Sequence, residues 1–360
     1  MAAGERGGDR DPHAHRGRGT RLNTVNRFTE LVVEIDPEEV TDYDLSVRTR
    51  YLDDTSRSVI STNTSPDLGF DASLNPYRGC EHGCSYCYAR PTHEYLGLSA
   101  GLDFERVIMV KRHAAELLEA ELRAKKWEPK TLMLSGVTDP YQPVERKLEI
   151  TRSSLKVLAR FRNPVSLITK NALVTRDIDL LGEMASWNGA RVTLSVTTLD
   201  EQLRARLEPR TSTIANRLRA VRELAAAGIP VGVNVAPLIP GLTDHELSDL
   251  LAAAAEAGAS HAGYTILRLP GAVTELFEQW LETNYPLRKE RVLNHTRDSH
   301  GGVLDDRMFG RRMRGSGRYA EQLRDLFRLA RRRAGIASTT EPLNTAEFRR
   351  PGEVRQGSLF

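Results

Sequence analysis

The chain has 360 residues, 40% of them hydrophobic and 28% charged, with a formal net charge of +3. That length is too great for a lone binding module and enough for one large α/β domain with short appendages, and the near-balanced charge excludes a dedicated nucleic-acid packaging protein. No apolar run approaches the roughly 20 residues of a membrane span, and the first residues are Gly, Arg and Asp rather than a signal sequence, so we expect a cytoplasmic protein with no membrane partner.

Residues 1 to 25 begin Gly-, Arg- and His-rich, and are expected to be a disordered tail. Residues 26–71 hold short apolar patches without clean periodicity: LVVEI at 31–35, Leu45, and Val59 with Ile60. They read as an arm packed against the main domain. From Ala72 the pattern becomes regular. Six apolar, β-branched runs predict strands at Ala72–Asn75, Thr131–Ser135, Val165–Lys170, Arg191–Thr197, Val231–Ala236 and Ala262–Leu267. Amphipathic stretches between the later ones predict helices over Ser153–Arg160, Ile178–Ala185, Ile214–Ala227 and Asp244–Ala257. Gly228 and Gly258 stand where helix C-caps belong, and Asp244 stands where an N-cap belongs. Strand–helix repetition implies a parallel sheet with right-handed crossovers. Six units suit a partial (β/α)6 barrel, with a doubly wound sheet as the structural rival. We assign the core to 72–300 and a basic extension to 301–360, where Arg311, Arg312, Arg314, Arg318, Arg324, Arg328 and Arg331 to Arg333 form a stripe. Such a stripe can pair with phosphates; the reading we prefer is a solvated helix face.

The three cysteines are Cys80, Cys84 and Cys87, clustered in NPYRGCEHGCSYCYAR with the spacing C-x3-C-x2-C. A cluster with no other thiol in the chain points to a metal site rather than a disulfide framework. Structural zinc takes four closed ligands, whereas three thiolates can hold three corners of a 4Fe–4S cube and leave one iron open. Tyr86, directly before Cys87, puts a planar group beside that iron. The competing reading is a zinc knuckle completed by His82 or His93, which with the Arg-rich tail would make a nucleic-acid-binding protein without catalytic activity.

These residues resemble the radical SAM enzymes, marked by C-x3-C-x-aromatic-C. The flanking NPYRGC and CYAR are similar to the spore photoproduct lyase-like branch, also described as DNA-repair-photolyase-like. The resemblance runs from about Leu74 to Leu269 and implies an α/β fold, a partial TIM-like radical SAM barrel. It also implies a 4Fe–4S cluster and S-adenosylmethionine (SAM) as cofactors. SAM would chelate the open iron, and reductive cleavage would give a 5′-deoxyadenosyl radical that abstracts hydrogen from substrate. A one-electron reductant of flavodoxin or ferredoxin type is the implied partner, and nucleic acid or a nucleotide the candidate substrate. The sequence carries no signal for oligomeric state.

In a parallel barrel, chemistry gathers where the strands end. The predicted ends are polar: Ser135-Gly136 before VTDPYQP, Thr169-Lys170-Asn171, Ser195 to Thr198, Asn234 before PLIPGLTD, and Arg268. Lys170 suits the SAM carboxylate, with Arg268 as its rival, and Ser and Thr hydroxyls suit the ribose and amino group. Gly136 lets backbone approach the ligand. In the resembled branch SAM is contacted by a serine after strand two, a lysine after strand three and a serine on strand four, which Ser135, Lys170 and Ser195 match. Asp139, Tyr141, Gln142 and Glu145 are candidates for substrate binding or proton relay, and Asp139-Pro140 is equally an ordinary turn opener. Spore photoproduct lyase depends on a further cysteine as hydrogen donor. We place its counterpart at Leu134, which has no transferable hydrogen, so we expect no efficient reversal of the spore photoproduct.

Overall fold

The fold is described from a computed structural model, which describes residues 17–28 and 48–352. Most of the expected tail, the LVVEI patch and Leu45 lie outside the described residues. All six predicted strands form: β3 (Ala72–Leu74), β6 (Leu132–Leu134), β7 (Val165–Thr169), β8 (Ala190–Ser195), β9 (Val231–Leu238) and β10 (His261–Ile266). They are mutually parallel and hydrogen-bonded in chain order, 10-9-8-7-6-3, with β2 (Ile60–Thr62) antiparallel on the β3 edge. A doubly wound sheet would reverse its strand order at a switch point. This one never does, so it is the open wall of a barrel.

Alternation explains the layering. In β7, Val165, Leu167 and Thr169 are buried on the helix side, while Ser166 and Ile168 face the concave side and are half-buried. The helix layer contains α4 (Ile150–Phe161), α5 (Ile178–Ala185), α7 (Ile214–Ala226) and α8 (Leu247–Glu256), whose Leu158, Leu181, Leu224 and Leu251 join one core with the strands. Gly228 and Gly258 follow α7 and α8 with φ of +74° and +96°, as helix-terminating glycines should. Asp244 is not an N-cap. It opens a short 3-10 turn, accepts from the Gly241 amide at 3.1 Å and receives the Tyr319 hydroxyl.

A second, small sheet of β1 (Arg50–Asp53), β5 (Val107–Val110) and β4 (Tyr77–Arg78), in the order 1-5-4, stands beside β3 and carries the start of the cysteine segment. At the other edge, α11 (Gly317–Arg333) packs against α8 with Ala320, Leu323, Phe327 and Ala330 in the main core. Its Arg318, Arg324, Arg328, Arg332 and Arg333 are exposed, the amphipathic arrangement of a surface helix. Strands β10 and β3 do not pair, so the barrel is open along one side. The segment before α11 spans that side: the Met313 carbonyl accepts from Ile266 of β10 at 3.0 Å. Beyond it, Arg312 reaches Asp67 (2.6 Å) and Ser65 (2.7 Å) in the β2–β3 turn.

Candidate functional site

The cysteine loop begins where β3 ends, and the segment after β6 holds it from one side. Asn75 accepts from the amides of Gly136 (2.8 Å) and Val137 (3.1 Å) and from the Ser135 hydroxyl (3.2 Å). Buried Gln142 accepts from the Glu81 amide at 3.0 Å and donates to the Gly79 carbonyl at 3.3 Å, and Glu81 in return accepts from the Val144 amide at 3.0 Å. Asp139 accepts from the Thr169 hydroxyl (2.7 Å) and the Lys170 amide (2.8 Å), and sits 3.3 Å from Nδ1 of His82. Burial raises the Asp139 carboxyl, but His82 and the hydrogen-bond donors outweigh it and hold the group below its usual range. Tyr141 and Glu145 are also spent, on Asp177 (3.1 Å) and on Tyr77 (2.5 Å) with Arg176 (2.9 Å). The four residues expected as substrate or relay groups are thus struts beneath the loop. Their hydrogen-bonding capacity is taken up by protein.

Cys80 and Cys84 are buried and Cys87 half-buried, all three as free thiols. Burial pushes each thiol up, and for Cys80 the neighbouring Asp139, Cys84 and Cys87 push further. Uncompensated thiolates are therefore costly here, and bound cationic irons would remove that cost. Among the described residues no three His, Cys, Asp or Glu side chains converge as ligands of a single ion. An iron–sulfur cube takes each thiolate on a different iron, so its ligands need not converge, and this donor set fits such a cluster. Both histidines invoked for zinc are engaged elsewhere: His82 with Asp139 and Asn171, and His93 with the Val107 carbonyl at 2.8 Å and the Phe104 ring edge.

The strand register gathers the remaining candidates. Ser195 of β8, Asn234 of β9 and Gly263 of β10 are register partners in one row, and Lys170 stands one step beyond the Thr169–Leu194 pair. Ser135 closes its own turn, donating to the Thr138 carbonyl as well as to Asn75. Gly136 receives the Tyr88 hydroxyl on its carbonyl at 2.6 Å. Leu134 is fully buried among core residues on the helix side. Its side chain therefore does not face the interior of the barrel.

The centre of the site lies where sequence reasoning did not look. Glu208, in the segment after α6 (Glu201–Leu207), is fully buried and binds Arg217 (2.5 Å), Lys170 (3.0 Å), the Thr197 hydroxyl (2.6 Å) and the Tyr86 hydroxyl. Burial opposes its charge, yet Arg217 and Lys170 outweigh it and hold the carboxyl well below the usual range. Lys170 Nζ also donates to the Ala236 carbonyl at 3.1 Å and lies 5.6 Å from the Tyr86 ring centroid. One carboxylate therefore fixes the aromatic side chain of the cysteine loop against the lysine at the strand end. Arg217 lies inside a helix whose apolar pattern does not single it out, and nothing in the local pattern flags Glu208.

A second buried pair secures the opposite side of the loop. Arg90 and Glu105 are both fully buried 2.5 Å apart, and Arg90 Nε donates to the Cys84 carbonyl at 3.0 Å. Glu105 also receives the Gly19 amide (3.0 Å) and the Thr20 hydroxyl (3.2 Å). Residues 17–28 thus form an ordered strap across the loop, with Arg18 and Thr20 buried. Residues 17–25, expected as part of a tail, make these contacts with the body of the protein. They are held by carboxylate and backbone contacts, which apolar content does not report.

A radical SAM superfamily profile matches residues 74–254. An uncharacterised protein of Mycobacterium bovis is 38% identical over 61% of this chain and 65% of its own length. An uncharacterised protein of Methanocaldococcus jannaschii is 28% identical over 62% of this chain and 80% of its own. The chain thus spans just under two thirds of the mycobacterial relative. Among solved structures, spore photoproduct lyase complexed with dinucleoside spore photoproduct aligns with a TM-score of 0.55 at 17% identity, over 79% of each chain. That likeness is one of fold. The chain belongs to the radical SAM superfamily.

Proposed function

We propose that this radical SAM protein carries a cluster on Cys80, Cys84 and Cys87 and catalyses radical chemistry on a substrate held at the open end of its barrel. When bound, a 4Fe–4S cluster and SAM would supply reductive cleavage of the sulfonium and a 5′-deoxyadenosyl radical for hydrogen abstraction. The protein's own part is positioning. Arg90 and Gln142 fix the loop backbone, so the three thiols are presented together. Lys170 holds a positive charge at the strand ends, where it would meet the SAM carboxylate, and Tyr86, locked by Glu208, offers a flat apolar wall beside it. Ser195 and Asn234 add polar groups in the adjoining row for ribose or amino contacts.

The observation that carries this reading is the convergence of the three-thiol loop and the Lys170–Glu208–Tyr86 group at one end of the parallel sheet. A zinc knuckle would need neither the strand-end row nor a buried carboxylate beneath its aromatic residue, and nothing in the site favours it. The partner we infer is a one-electron donor of flavodoxin or ferredoxin type. For the substrate we retain nucleic acid or a nucleotide as the candidate class, supported by the fold likeness to spore photoproduct lyase. Anaerobic reconstitution with iron, sulfide, reductant and SAM tests the proposal. A brown protein absorbing near ~400 nm, as clusters of this type do, that releases 5′-deoxyadenosine is expected. Each Cys→Ala variant should lose both properties, and a triple-Ala variant that still cleaved SAM would overturn the assignment.

A further inference from the structure

Two cations at the open end of the barrel are not neutralised by protein, and SAM brings only one carboxylate. The first is Lys170: it shares Glu208 with Arg217, so that three-residue group carries one positive charge in excess. The second is Arg268, two residues beyond β10. Its Nε is buried with no hydrogen-bond partner, its Nη1 meets only the Met313 thioether at 3.7 Å, and no carboxylate among the described residues pairs with it. Nearby anions are taken: Asp67 binds Arg312 and the Gly310 amide, and Asp305 binds Arg307 and the Gly271 amide. A guanidinium drawn partly out of water with its buried Nε unpartnered is costly and persists where a ligand repays it. Its surroundings point the same way. Arg268 lies 5.8 Å from the ring centroid of Tyr88, the residue after Cys87, whose hydroxyl is tied to Gly136. The strand-end cation thus stands against the cysteine loop itself, on the open side of the barrel.

Resting on the radical SAM reading and going beyond it, we propose that Arg268, backed by the face of Tyr88, is an oxyanion subsite for the substrate. It takes a carboxylate or phosphate group of the molecule that gives up hydrogen, leaving Lys170 for SAM. A planar fork of donors suits either oxyanion.

The test uses the full, cluster-loaded chain, with inorganic phosphate and acetate as separate probes against chloride of matched ionic strength. Thermal unfolding is followed for wild type and Arg268→Met, and SAM affinity is measured for both. Wild type should be stabilised by at least one oxyanion over chloride, and the more effective probe identifies phosphate or carboxylate as the preferred group. Arg268→Met should lose that response yet unfold no earlier than wild type in chloride, because it removes a half-buried guanidinium with no carboxylate partner; an arginine with a merely structural role would destabilise on removal. SAM affinity should stay within about twofold. The proposal falls if wild type shows no oxyanion response, or if Arg268→Met retains it. A tenfold or greater loss of SAM affinity would assign Arg268 to the SAM carboxylate and equally overturn it. Iron content and SAM cleavage by wild type report separately on the radical SAM reading, so the two failures are distinguishable.

Discussion

Replacing Gly19 by Ala asks whether the cysteine loop depends on the strap laid across it. A Cβ at Gly19 would fall 1.5 Å from the Gly83 carbonyl oxygen and 2.7 Å from its carbon. Backbone atoms cannot rotate away from such a contact. Gly83 is itself held, its amide donating to the Cys80 carbonyl at 3.4 Å and the Ser85 amide beyond it to the Leu207 carbonyl at 3.0 Å. The strap must lift, giving up the Gly19 amide and Thr20 hydroxyl contacts to the buried Glu105 carboxylate. Hydrogen bonds to charged groups contribute about 1.5–3 kcal/mol each, so losing both costs on the order of 3 kcal/mol or more. That raises the population of lifted strap roughly 150-fold. Trypsin cutting after Arg18 and Arg21 reads this population directly when opening and closing outrun cleavage. Gly19→Ala should therefore be clipped on the order of a hundredfold faster. The reconstituted protein should also yield its iron to a chelator sooner, because Glu105 holds Arg90 and Arg90 holds the Cys84 carbonyl. Gly182→Ala, where an added Cβ meets nothing within 4 Å, is the control. Equal clipping and equal iron release in Gly19→Ala and the control would refute the argument.

Lys170→Ala should weaken SAM binding by about tenfold to a hundredfold with iron content intact, the magnitude of one charge-assisted contact; unchanged affinity by titration would remove the lysine from the site. Glu208→Ala leaves Arg217 buried without its anion and should cost about 3–5 kcal/mol, read as a lower urea midpoint. His261, on the concave face beside Thr193, has its pKa lowered to about 4 by burial and by Arg191. The unfolded chain therefore binds this proton first, and stability is lost as pH falls from about 6.5 toward 4; His261→Asn should flatten that part of the urea-midpoint profile. Reconstituted enzyme given SAM and a dinucleoside spore photoproduct should not return thymines catalytically, because every thiol of the chain lies in the cluster motif; clean, catalytic repair would contradict this.

What the sequence could report follows from how local each signal is. Runs such as Val165–Thr169 and Ile214–Ala226 announce themselves because one periodic face must be apolar to pack. The cysteine spacing and the polar strand ends are equally local, so Cys80 to Cys87, Lys170, Ser195 and Asn234 could be picked out as candidates. Glu208 was not: it sits in an ordinary-looking LEPRT segment and acquires meaning only when Tyr86, Lys170 and Arg217 reach it from three other places. The contacts of the strap were not legible for a related reason. Gly19 and Thr20 bury themselves against Glu105, far along the chain, and composition counts apolar side chains rather than satisfied carboxylates. Asp139 and Gln142 show the converse error, since polar residues after a strand read alike whether they face a ligand or brace a loop. Strands β1, β2 and β5 escaped notice because each is only three or four residues long and stands outside the strand–helix repeat that marked β3 and β6.

The side where β10 and β3 fail to pair has an evolutionary consequence. A ladder of backbone hydrogen bonds would fix the distance between those edges whatever the side chains. Here the distance is set by Arg312 on Asp67 and Ser65, across 245 and 247 residues of sequence, and by a short stretch of chain laid along β10. Such a seam can be retailored by exchanging a few side chains or lengthening a loop, without disturbing the strand register that aligns Ser195 with Asn234 or the struts beneath the cysteines. Variation in what enters the barrel is thereby uncoupled from the machinery that must stay constant.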